Sequence, residues 1–210
     1  MKSMKLKTLF FALSATAFMY SCGGGQEATE NTADLQANVD ATEVSLTVNT
    51  KESNVVWKGT MLGVKSHSGD LKLKSGNLVV KGNEVISGSF TADLKSIAPT
   101  DSAYDKENPK SKLVGHLQSG DFFATEEYPE ANFVVKNVEG KTLIGDLTIR
   151  GITNEEKVTD VSVLTEGDVV KASGKLTFDR QKYDVAFSTG AKDYVISDDI
   201  ELSIELVGTK

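Results

Sequence analysis

From Glu43 onward the chain alternates apolar and polar positions with a period of two. Val44, Leu46 and Val48 alternate with Ser45 and Thr47, and Ile86, Gly88, Phe90, Ala92 and Leu94 with Ser87, Ser89, Thr91 and Asp93. Val170, Ala172, Gly174, Leu176 and Phe178 repeat the pattern against Lys171, Ser173, Lys175 and Thr177, as do Ile200, Leu202, Ile204 and Leu206 against Glu201, Ser203 and Glu205. Each such run predicts a strand with one dry face and one wet face. The segments 69–83, 131–151, 156–170 and 182–187 read as further strands, with Gly82-Asn83, Glu139-Gly140 and Gly167-Asp168 marking hairpin turns. Many one-sided strands joined by short turns predict an all-β barrel or sandwich. Closure into a barrel is favoured, because it leaves no exposed edges.

One stretch breaks the alternation. All three prolines, Pro99, Pro109 and Pro129, fall within residues 96–130, which therefore form an insertion between strands. Inside it, Pro109 precedes KSKLVGHLQSG, where Leu113, His116 and Leu117 recur at helical spacing and Gly120 follows. This predicts a short helix around residues 106–119. Phe122 and Phe123 come next, an apolar pair in a polar stretch, followed by a strand starting near Ala131. Read as an extended segment, the pair points its rings in opposite directions, one into the barrel and one under the helix.

Strand parity sorts the interior. Even positions face inward along 170–178, which aims Arg180 inward if the strand stays regular. Odd positions face inward along Leu143, Leu147 and Ile149, which aims Arg150 outward unless Gly151 marks a bulge. Arg150 and Arg180 are the only two arginines. A guanidinium beside an apolar channel can pair with a phosphate or a quinone oxygen, and an ion pair with Asp146, Asp179 or Asp184 is the structural alternative. Gly88, Ala92, Ala172 and Gly174 lie on the dry face next to Phe90 and Phe178, where small residues either leave a channel or fit large neighbours in a solid core.

The N-terminal 21 residues carry export features rather than fold features. MKSMKLKT is a basic start, LFFALSATAFMY an apolar run too short to span a bilayer, and Ser21-Cys22 ends it with the only cysteine. Lipidation at Cys22, followed by a polar, glycine-rich tether over 22–42, reads as an exported lipoprotein anchored to the cell envelope, at the outer membrane on its periplasmic or surface face. Residues 43–210 form the folded domain, held together by burial without disulfides. The signal removes Lys2, Lys5 and Lys7 and no carboxylate, so a net charge of −7 becomes −10. That argues against a nucleic-acid binder and a binder of anionic membrane surfaces.

Chemistry-bearing residues are sparse. His67 and His116 are the only histidines, with no metal-ligand spacing around them. No nucleophile elbow is present and the one cysteine is expected to be acylated, so no catalytic residue is assigned and the protein reads as a non-enzyme. No cofactor is expected beyond a bound lipid.

The segment HLQSGDFFATEEYPEANF, together with GDLTIRGIT (145–153), FDRQKYDV (178–185) and DDIELSIEL (198–206), resembles the YceI-like family of exported lipid-binding proteins. The resemblance covers residues 43–208 and implies an eight-stranded antiparallel, lipocalin-like barrel whose apolar channel holds a polyisoprenoid or similar amphiphile, bound and carried without catalysis. It admits a homodimer. The expected channel lining is Trp57, Ile86, Phe90, Phe122, Phe123, Phe133, Leu147, Ile149, Ala172, Gly174, Leu176, Phe178 and Tyr183. Arg180, His116, His67 and Arg150 are the candidate head-group contacts. The family's usual early His-Ser is replaced by Ser53-Asn54, with a histidine appearing later at His67. An envelope interaction or stress-response module with a solid barrel core is the alternative.

Overall fold

The computed structural model describes residues 42–62, 65–188 and 195–209. The predicted signal, Cys22 and most of the tether lie outside the described residues. Among the described residues, eleven strands run in chain order: β1 (Glu43–Val48), β2 (Asn54–Leu62), β3 (Lys65–Leu71), β4 (Leu73–Lys81), β5 (Glu84–Asp93), β6 (Ala98–Pro99), β7 (Glu130–Glu139), β8 (Thr142–Ile149), β9 (Ile152–Glu166), β10 (Val169–Asp179) and β11 (Val195–Thr209). The helix α1 spans Lys110–Gln118, inside the predicted range, with Pro109 at its N-cap.

Every pairing is antiparallel, and together they close an eight-stave barrel. β11 is long enough to pair with β2 along Asn54↔Glu205 to Met61↔Ile196, and with β1 through Val48↔Gly208 and Thr47↔Thr209. β1 and β2 therefore act as one bent stave, and β3 and β4 as the next. β5, β7, β8, β9, β10 and β11 follow in order around the barrel. At the bend, the Asn49 amide donates to the Val207 carbonyl at 2.7 Å, and the Val207 amide donates to Ser53 Oγ at 2.9 Å. These bonds satisfy the backbone that the missing ladder leaves open.

β10 shows the predicted alternation in pure form: Val170, Ala172, Gly174, Leu176 and Phe178 are buried and the positions between them exposed. Register shifts modify the pattern elsewhere, and two of them bear on the interior. On β5, Val79 faces Ser87 while Val80 faces Val85, so Ile86 is the extra residue and Val85 takes the inward place. The expectation that Ile86 lines the channel is thereby corrected: Val85 is 3 % exposed and Ile86 only partly buried. On β9, the register slips by one between Ser173↔Ser162 and Lys175↔Thr159, with Asp160 at φ 55°. Val158 and Val161 both turn inward, and a side chain at Gly174 would meet Val158 Cγ1 at 2.6 Å.

The predicted strand 182–187 is not one. Asp179 Oδ1 accepts from the Gln181 amide at 2.8 Å and caps a 3-10 turn over Arg180–Tyr183, after which Asp184 adopts φ 58° and the chain leaves the sheet. Side-chain parity ends where that turn begins.

The insertion forms a strap. It opens with a 3-10 turn at Leu94–Ser96, pairs β6 with β3 through Gly69↔Pro99 and Asp70↔Ala98, and runs through α1 back to Pro129, whose carbonyl accepts from the Leu94 amide at 2.9 Å. Its two ends are thus fastened at one point on the barrel. Residues 119–125 are not extended as predicted. The amides of Phe122 and Ala124 bond the Ser119 carbonyl, and those of Phe123 and Thr125 bond Leu117 and Gln118.

Candidate binding cavity

The barrel interior is not solid. An inner cavity of about 140 Å³ is lined by aliphatic and phenyl groups, among them Phe90, Ala92, Phe133, Leu147, Ile149, Ala172, Leu176 and Phe178. A larger cavity of about 360 Å³ lies between the strap and the wall made by β2, β3 and β11. Leu71 and Leu94 line both, so the two spaces adjoin. An apolar cavity of ~150 Å³ accepts one benzene. By that measure the inner space takes about one branched C5 unit or ring, and the outer space two or more.

Small residues play both of the roles left open by the sequence. Ala92 and Ala172 face the inner cavity, whereas the space a Gly88 side chain would need is taken by the Phe90 ring, 3.0 Å from the would-be Cβ. Gly174 and Val158 both line the cavity, and the close approach of Val158 leaves no room for a side chain at Gly174.

The outer cavity has an apolar floor and a polar margin. Trp57, Met61, Phe122, Phe123, Phe187 and Ile200 are among the residues of the floor, and Lys65, His67, Tyr104, Asn108, Lys112 and His116 supply polar groups. Phe122 is 5 % exposed and Phe123 half-buried, their rings edge-to-face at 5.0 Å. Both rings thus border one cavity instead of pointing apart, because the turn at 119–125 replaces the extended geometry.

Asp101 organises the margin. It accepts from Tyr104 Oη at 2.7 Å, from the Ala103 amide at 3.0 Å and from the Ser68 amide at 3.1 Å, and lies 3.3 Å from His67 Nδ1. The Tyr104 hydroxyl is also 3.0 Å from His67 Nδ1, and the two rings stack at 5.2 Å. Every neighbour of Nδ1 is an acceptor, since the phenol spends its proton on Asp101, so the His67 proton sits on Nδ1. Burial alone would raise the Asp101 carboxyl, but the bonds from Tyr104, Ala103, Ser68 and His67 outweigh it and hold the group at about 2. The Tyr104 phenol is pushed well above its ordinary range by burial and by Asp101. The network ties the strap to β3 at the cavity margin.

Neither arginine borders either of these two cavities, and their expected head-group role is corrected. Arg180, 3 % exposed, donates Nε to the Ser197 carbonyl at 3.1 Å, one terminal nitrogen to the Val185 carbonyl and the other to Asp198 at 3.1 Å. Its fork is used up by tying the 3-10 turn to the start of β11. Arg150 sits with Gly151 in a two-residue β8–β9 turn, both at positive φ (52° and 73°), as a hairpin of this twist requires. From there it donates to the carbonyls of Gly120 and Phe122 and pairs with Asp184 at 3.5 Å, pinning the turn that carries the two phenylalanines.

Tyr183 is likewise corrected from lining to plug. It is wholly buried, edge-on to Phe178 at 5.5 Å, and its hydroxyl donates to Glu156 at 3.2 Å; burial, followed by the Glu156 charge, raises its phenol. The sequence reading missed Met61, Asp101, Tyr104 and Phe187. The Asp101/Tyr104 pair had one legible signal, an acid and an aromatic three residues apart in a proline-bounded loop, and Phe187 was hidden by being read as a strand residue.

Comparison with known proteins matches this geometry. A YceI-like domain model covers residues 46–208. A UPF0312 protein of Staphylococcus aureus is 58 % identical over 41 residues, 20 % of this chain and 24 % of that protein, so the match spans about a quarter of the curated relatives' length. Among solved structures, Burkholderia cenocepacia BcnA aligns at a TM-score of 0.58 and 20 % identity, covering 77 % of this chain and 99 % of the other. A polyisoprenoid binding domain from Saccharophagus degradans, implicated in plant cell wall breakdown, aligns at 0.55 and 14 % identity over 78 % and 97 %. At these identities the structural likeness is one of fold. With an eight-stave barrel, a strap between β5 and β7 and a domain match running from β1 to the end of β11, the chain belongs to the YceI-like family.

Proposed function

We propose that this protein binds and carries an amphiphilic isoprenoid lipid, a quinone or a polyprenyl phosphate, without catalysis, at the cell envelope, where Cys22 anchors it. The observation that carries this reading is the two-part cavity, apolar in the barrel and edged by polar groups under the strap. That division matches an amphiphile with its tail inward. Burial of apolar groups stabilises by about 0.8 kcal/mol per methylene, so one five-carbon unit contributes up to ~4 kcal/mol and the tail supplies most of the affinity. The likeness to a domain described as polyisoprenoid-binding supports the same ligand class.

The direct test uses the full chain carrying Cys22→Ser, which blocks acylation at that position. Organic extraction of the purified protein and mass spectrometry should recover an isoprenoid in stoichiometric amount, and refilling should quench Trp57, the only tryptophan, which lines the outer cavity. No recovered lipid and no quenching would sink the proposal. Anchoring is tested separately: the parent chain should partition with membranes and the Cys22→Ser chain should not.

A further inference from the structure

Two side chains on the outer cavity wall lack what their chemistry requires. Among the described residues, the buried side-chain polar atoms without a hydrogen-bond partner are Trp57 Nε1 and His116 Nε2. Both residues line the same cavity, Trp57 from β2 and His116 from α1 on the strap. A buried polar atom left unpaired costs about 1–3 kcal/mol, and such atoms are rare in folded proteins. Two of them on opposite walls of one cavity mark a place where an incoming group completes the bonding.

Their chemistry narrows that group. The indole nitrogen is only a donor, and the imidazole nitrogen donates or accepts according to tautomer. A carbonyl oxygen accepts from both; a hydroxyl accepts from Trp57 and donates to His116. The immediate neighbours of His116 are aromatic. His116 lies edge-on to Phe187 at 4.3 Å and to Phe122 at 5.5 Å. Both guanidinium groups are engaged elsewhere, so the cations on the cavity lining are Lys65 and Lys112, the latter bonded to Asn108 at 3.1 Å. The Asp101 carboxylate, whose side chain is 15 % exposed, is bonded to the cavity-lining His67 and Tyr104. A phosphate in this space would find no guanidinium fork and would depend on Lys65 and Lys112 for pairing, whereas Trp57 and His116 suit a neutral oxygen.

We propose that Trp57 and His116 form the head-group seat for an uncharged oxygen, the ring carbonyl or hydroxyl of an isoprenoid quinone or quinol, and that they select it over a phosphate head. The inference rests on the lipid-binding reading above. Both nitrogens lie beneath the cavity surface, so the indole and imidazole turn slightly as the head enters. The edge-to-face phenyl groups of Phe122 and Phe187 then suit a flat ring.

The test compares three ligands sharing a four-isoprene tail: a naphthoquinone, a monophosphate and the saturated hydrocarbon. Each is titrated into the delipidated full chain carrying Cys22→Ser by calorimetry. The quinone is expected to bind at least tenfold tighter than both others. In Trp57→Phe and in His116→Phe, the quinone-to-hydrocarbon preference should shrink by about tenfold. Should either variant misfold, the unsubstituted protein still decides, because its single tryptophan gives one indole N–H resonance, expected to move downfield with the quinone and not with the hydrocarbon. A phosphate that binds as tightly as the quinone, or an indole resonance that responds equally to quinone and hydrocarbon, overturns the seat while leaving lipid binding in place. If none of the three binds, the seat and the lipid-binding reading fall together.

Discussion

Arg180→Ala separates a ligand contact from a structural tie. The side chain is 3 % exposed and donates to the carbonyls of Ser197 and Val185 and to Asp198. Truncation leaves the Val185 carbonyl buried without that donor and the Ser197 carbonyl partly so, at about 1–3 kcal/mol for each fully buried group. The ion pair adds little, because the Asp198 side chain is 50 % exposed and water screens it. With the lost packing of the stem, the loss of stability is roughly 3–5 kcal/mol. For a domain of this size each kcal/mol moves the midpoint by about 2–4 °C, so melting followed by far-ultraviolet circular dichroism should drop by about 6–20 °C. Arg180→Lys should recover part of that loss, since an ammonium reaches one or two of the three acceptors but cannot span them as a planar fork. Lipid affinity, measured well below the lowered midpoint, should change by less than about threefold, because the guanidinium borders neither cavity. The reasoning is refuted if Arg180→Ala melts within a degree or two of the parent chain while its lipid affinity collapses.

Asp101 has a depressed carboxyl, so its contribution is complete above the ordinary value of 3.8 and is lost as pH falls through about 2. At ~1.4 kcal/mol per tenfold that contribution is roughly 2 kcal/mol; denaturant melts of the parent and Asp101→Asn should differ by that much near pH 6 and converge near pH 2. Gly69→Ala places a Cβ 2.2 Å from the Ala98 carbonyl oxygen, so β6 should detach from β3 and hydrogen exchange in the strap should accelerate while the far barrel stays protected. Ala172→Leu fills part of the inner cavity; the variant should fold with a stability change of no more than about 1–3 kcal/mol and lose affinity for long tails more than for short ones, read by calorimetry along a tail-length series.

The barrel was legible because a strand with one buried face writes its period directly into the sequence. β10 has that form from end to end, and the strap was marked by its prolines. The bulges were not legible. Val85 and Ile86 are both apolar and β-branched, so the pattern does not say which is the extra residue; only the facing register with Val79 and Val80 decides. The arginines failed for a related reason. Parity carries Arg180 inward only while the strand continues, and Asp179 ends it by capping the Gln181 amide. Asp179 is also an ordinary wet-face residue, and a capping carboxylate looks the same as any other until the next backbone amide is placed against it.

The two halves of the cavity answer to different parts of the chain. The strands supply the inner space, where Leu, Val, Ile and Phe dominate the lining and nothing distinguishes one hydrocarbon from another except length and width. Most of the polar groups met by a ligand come from the strap and the β2–β3 hairpin: Tyr104, Asn108 and His116 on one side, Trp57 and His67 on the other. Because the strap is held by local ties, Asp101 to Ser68 and Arg150 to Phe122, its residues can change without disturbing the ladder hydrogen bonds of the barrel. On the proposed reading, capacity for a tail is a property of the staves, and choice of head one shared by the strap and the β2–β3 hairpin. Substitutions at Ala172 should alter the first with little effect on the second, and substitutions at His116 should do the reverse.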